Sequence, residues 1–117
     1  MNHTFTIHTS KGERVVTVRE LTATQATLYQ FDLSRALATD DDRERALASV
    51  RLAIQLCAYV VTSVEGAEVP SGEAERIKWF DAQGHEFVFG VAAAYRRATA
   101  VPDALAGKSE GGPNAIG

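Results

Sequence analysis

Residues 39 to 62 carry apolar side chains on two sides of one helical period, and this constrains the fold more than any other segment. Ala46, Val50, Ile54, Cys57 and Val61 recur at spacings of three and four and make one stripe. Leu52, Leu56 and Tyr59 make a second stripe nearly opposite, at i, i+4 and i+7. Thr39 is the expected N-cap, with Asp40, Asp41 and Asp42 placing negative charge on the positive end of the helix dipole. That accounts for the acidic run as helix initiation rather than as a metal or partner site. A helix apolar on two faces either runs through the middle of its domain or has one face covered by a partner. Both readings stay open on sequence grounds.

The segments on either side supply what such a helix needs. Phe5 and Ile7 alternate with Thr4, Thr6 and His8, and Val15, Val16 and Val18 form a second run. Ser10-Lys11-Gly12-Glu13 between them is turn chemistry, so the start reads as a β-hairpin. Two strands alone are marginal in water, which requires the hairpin to lie on the helices. Thr22 to Gln25 is a capping-box pattern that opens a helix to about residue 38. Ala26, Tyr29, Leu33, Ala36 and Leu37 share its core face, whereas Leu28 and Phe31 point roughly 100° to 160° away from it. Residues 63 to 70 read as an exposed connection ended by Gly66 and Pro70, after which Ser71 caps a short helix through Phe80. Residues 77 to 89 fit either a second hairpin or the end of one helix and the start of another at about His85. The Ala92-Ala93-Ala94 run and Arg96-Arg97 favour the helix. The fold class expected is α+β and mostly helical, an N-terminal hairpin followed by three to four helices. Residues 1 to 101 form the single globular domain and 102 to 117, rich in glycine, a flexible tail.

Chemistry is sparse. At 117 residues the chain supports one core, and its 45% apolar share suits a folded domain. A net charge of −3 gives no basic footprint for nucleic acid or an anionic membrane. No apolar run approaches the roughly 20 residues of a membrane span. The opening residues lack a signal-peptide pattern, and Cys57 is the only cysteine, so the cytosol is the expected compartment. His3, His8 and His85 have no ligand-spaced companions for a metal, and Cys57 lies on a buried stripe with no base beside it. No phosphate-binding glycine motif occurs; Gly107-Lys108-Ser109 has proline where a P-loop needs its first glycine. The expectation is therefore no catalytic residue, no cofactor and no metal. The surplus apolar residues Leu28, Phe31, Leu52, Leu56 and Tyr59 are the candidate protein-binding or oligomer surface.

The order of parts resembles a family. The segment VTVRELTATQ (Val16 to Gln25), the V-x-G-x-x-V-P connection (Val64 to Pro70) and AAAYRRA (Ala92 to Ala98) are similar to the tail assembly chaperones of long-tailed bacteriophages and prophages. The likeness is one of layout and covers about residues 4 to 98. It implies a non-enzymatic protein of the host bacterial cytoplasm that binds the tape measure protein and keeps it from aggregating. It implies the tail tube protein as a further partner, and a longer frameshifted form sharing the same N-terminal domain. Two other readings compete: a phage virion component such as a neck or tail adaptor, and a small enzyme or ligand-binding protein with a dispersed site near His85 or Cys57.

Overall fold

A computed structural model describes residues 2 to 99, so the expected tail from residue 102 lies outside the described residues. The chain runs β1 (Asn2–Thr9), β2 (Gly12–Arg19), α1 (Ala23–Leu37), α2 (Asp42–Val60), β3 (Val61–Val64), α3 (Glu73–Ala82) and α4 (His85–Thr99). It is an α+β fold, mostly helical, as its periodicities require.

The hairpin forms where alternation places it, with Phe5 opposite Val16 and Thr4 opposite Thr17. Ile7, Val16 and Val18 turn inward and are buried, while Thr4, Thr6 and His8 face out. A third strand joins it, in the order β1-β2-β3 with both pairings antiparallel. This corrects the reading of residues 61 to 64, which the helical stripe and the connection had divided between them. The sheet takes this short β-branched run because Val61 and Val64 pair with Val18 and Val16 and are buried with them. A register shift between Thr17 and Val18 puts two exposed residues, Thr62 and Ser63, between two buried ones. That irregularity removes the period-two signal a strand ordinarily shows.

The helices begin and end on local chemistry. Thr22 accepts from the Gln25 amide and the Gln25 side chain accepts from the Thr22 amide, both at 3.1 Å, so the capping box is complete. Thr39 does not cap α2. Its hydroxyl donates to the Arg35 carbonyl at the end of α1, its own carbonyl takes the Arg45 guanidinium, and Asp41 caps α2 instead. Asp42 and Glu44 then occupy the first turn, the dipole placement expected of the acidic run. Gly72, not Ser71, is the N-cap of α3. Gly84, at φ 99°, stops α3 and turns the chain into α4, so residues 77 to 89 are helical and no second hairpin forms there.

α2 is the middle of the helical layer and packs on α1, α3 and α4. Ile54 and Cys57 are buried on one side and Leu52 and Leu56 on the other. The central-helix alternative left open by the two stripes is therefore the structure's answer. α4 lies along β1, with Gly90 so close that an added Cβ would meet the Ile7 methyl at 2.7 Å. Tyr95 at its far end accepts from the Leu21 amide at 3.0 Å, and Arg96 donates to the Tyr29 hydroxyl at 3.0 Å, which ties α4 to α1.

Candidate interaction surface

The five residues singled out in the sequence do not come together as one surface. Leu56 is fully buried and Leu52 is 8% exposed, both in the core. Tyr59 is half-buried and packed against that core. Leu52 and Leu56, expected on a binding surface, are thus core residues, whereas Val50 of the opposite stripe is only half-buried. Leu28 and Phe31, in contrast, are 49% and 60% exposed. The α1 contacts to α2 and α4 use Tyr29, Leu33 and Ala36, and Leu28 and Phe31 sit one helical face away from that seam. The Arg35 guanidinium stands 5.8 Å from the Phe31 ring centre, one turn on. Leu37, expected on the core face, is exposed as well, because α1 ends there and the chain turns toward α2.

A second apolar region was not singled out in the sequence. The N-terminal half of α2 extends beyond the core, and Leu47 is 41% exposed. Leu47, Val50 and Ile54 form the wall of a groove of about 500 Å³ whose other wall is Ile77 of α3, with Arg51, Lys78 and Asp81 around it. Val50 and Ile54 belong to the stripe that reads as core, and Leu47 lies outside both stripes, so the sequence does not set the three apart as a surface. Between α1 and α2 lies a cleft of about 490 Å³, with Asp32, Arg35, Glu44 and Arg51 making it far more polar.

The residues that could carry reactivity are held in structural roles. Cys57 is buried with its thiol 3.8 Å from the Val88 carbonyl, and burial pushes its pKa up to about 12. At neutral pH it is a packed thiol, not a thiolate nucleophile. His8 reaches Glu13 at 3.2 Å on open surface, and His3 stacks on Phe5 with Glu20 at 3.8 Å. His85 lies against Phe89. Among the described residues no group of three or more His, Cys, Asp or Glu could hold a metal ion. No helix among them is long and apolar enough to cross a membrane.

Two polar anchors were missed in the sequence. Arg76 of α3 donates to the carbonyls of Ala58 (2.9 Å), Pro70 (3.0 Å) and Val61, joining the end of α2, β3 and the following loop. Burial and then the charge of Arg19 hold its pKa below the ordinary arginine value. Glu86 at the start of α4 accepts from the hydroxyl (2.6 Å) and amide (3.1 Å) of Ser10, so the hairpin turn is bound to that helix. An arginine or glutamate on a helix carries no local sign of which distant carbonyl or amide it will meet.

The described residues form an α+β fold with two exposed apolar regions on its helical side, one at Leu28 and Phe31 and one at Leu47. No family model, curated protein or solved structure matches the chain.

Proposed function

We propose that the protein is a non-enzymatic binding protein that shields apolar helical segments of a client, as a tail assembly chaperone does for the tape measure protein. The observation carrying this reading is the pair Leu28 and Phe31 standing in solvent on a helix that packs on the core through Tyr29, Leu33 and Ala36. A buried leucine or phenylalanine side chain gains about 1.5–3 kcal/mol over an exposed one, so a client that covers this pair has a real driving force. The groove at Leu47, Val50, Ile54 and Ile77, between α2 and α3, offers an apolar client helix a second seat. The resemblance in layout to tail assembly chaperones supplies the client class and the host cytoplasm as its setting.

The test is suppression of aggregation. Light scattering by a purified apolar segment of a tape measure protein should fall when the wild-type chain is added. The double variant Leu28→Asp/Phe31→Asp should fold normally by circular dichroism and lose that suppression. A folded double variant that protects as well as wild type would remove α1 from the binding surface. Failure of the wild-type chain to protect would refute the chaperone reading.

A further inference from the structure

The two edges of the sheet are guarded very differently. β3 is four residues long, is joined to β2 through a register shift, and folds back on itself through the bridge between Val64 and Ala67. These are the devices that blunt an edge. β1 has none of them. It is eight residues long, pairs with β2 in unbroken register, and contains no proline, lysine or acidic residue.

The direction of its backbone groups follows from the neighbouring pairing. The Val15 carbonyl accepts from the Glu65 amide at 2.9 Å, on the β3 side of β2. Polar backbone groups alternate along a strand, so Arg14, Val16 and Val18 turn theirs toward β1. Their partners Ile7, Phe5 and His3 answer them, which leaves Thr4, Thr6 and His8 directing N–H and C=O out of an edge that no other strand among the described residues pairs with. β1 contains no Asp, Glu, Lys or Arg, so pairing two copies of this edge brings no fixed like charges together.

We propose that β1 is a self-pairing edge, through which two copies of this chain join antiparallel about a two-fold axis into one six-stranded sheet. The axis passes at Phe5, with Thr4 of each copy opposite Thr6 of the other. This register uses every outward backbone group from residue 2 to residue 8. It also sets half-buried Phe5 of one copy against its equivalent, completing its burial. The guarded β3 edge closes the assembly at two copies rather than letting it propagate. Pairing through one edge buries less than the about 1,200 Å² of a standard stable interface, so the dimer is concentration-dependent. It is independent of the client reading, since it uses neither Leu28 and Phe31 nor the groove between α2 and α3.

Sedimentation equilibrium of the full chain over a wide concentration range is the test, with hydrogen exchange read at Thr4, Thr6 and His8. A monomer–dimer equilibrium is expected, with those amides protected only at high concentration. Thr6→Pro removes a donor that only the partner uses, and Thr6→Lys adds like charge near the axis; each should raise the dimer dissociation constant about tenfold or more. Ser63→Lys on β3 should leave it unchanged. If Thr6→Pro does not fold by circular dichroism, Thr6→Lys carries the comparison. A chain that stays monomeric throughout overturns the proposal, as does a dimer that survives the folded Thr6 variants or an assembly that grows past two copies.

Discussion

Replacing Arg76 by methionine keeps the aliphatic stem over the core and removes the guanidinium that joins three parts of the chain. In the folded state three carbonyls, of Ala58, Val61 and Pro70, share this one cation. Each charge-assisted hydrogen bond contributes about 1.5–3 kcal/mol where water is excluded, and such bonds on one side chain are far from additive. Arg76 is only part-buried, and water can replace it at the outermost carbonyl, that of Pro70. The contact of the guanidinium with the Phe80 ring, 5.7 Å from its centre, adds about 0.5–1 kcal/mol. The balance predicts a loss of about 2–4 kcal/mol for Arg76→Met. With a urea m-value of about 1.5 kcal/mol/M, the midpoint falls by roughly 1–3 M. Arg76→Lys, with the charge but no fork, should recover less than half of the loss. Amides of residues 61 to 64 should exchange faster in both variants, because β3 loses its tether to α3. A midpoint within about 0.3 M of wild type for Arg76→Met, or full recovery by lysine, would refute the staple.

Other expectations follow from single sites. Leu56→Ala should cost about 2–5 kcal/mol in thermal or urea unfolding, since the side chain is fully buried, while the exposed Leu28→Ala should stay within about 0.5 kcal/mol; equal effects would contradict the core assignment. The Glu86 carboxyl titrates below its ordinary value because the Ser10 hydroxyl and amide both donate to it. A depressed carboxyl contributes stability that is present above its unfolded pKa and lost as pH falls through the folded one. An NMR titration should show the Glu86 value rising in Ser10→Ala, and an unchanged value would remove that cause. Cys57 should resist thiol reagents at pH 8 in the native protein and react on unfolding, with burial as the reason; rapid native labelling would show the thiol is open.

Where local chemistry determines structure, this sequence is explicit. The hairpin follows from alternation in residues 4 to 18, α1 from the Thr22–Gln25 box, and the start of α2 from its acidic turn. Each depends on neighbours within a few positions along the chain. Residues 77 to 89 fit both a hairpin and two helices on pattern alone, and Gly84 decides between them by taking the positive φ that separates α3 from α4. β3 was lost because its register shift abolishes alternation and because Val61 also fits the helical stripe before it. The candidate surface was half legible: Leu28 and Phe31 diverge from their helix's own seam, which periodicity alone reveals.

Tertiary structure decided the remainder. Two apolar stripes on α2 state that both sides need cover, but periodicity is blind to who provides it. Packing by α1, α3 and α4 made Leu52 and Leu56 core, while the same packing fell short of Leu47 and left it beside a groove. Sequence sets which side chains must leave water. Which neighbour buries them, and which are left exposed for a partner, is fixed only when the elements meet in space.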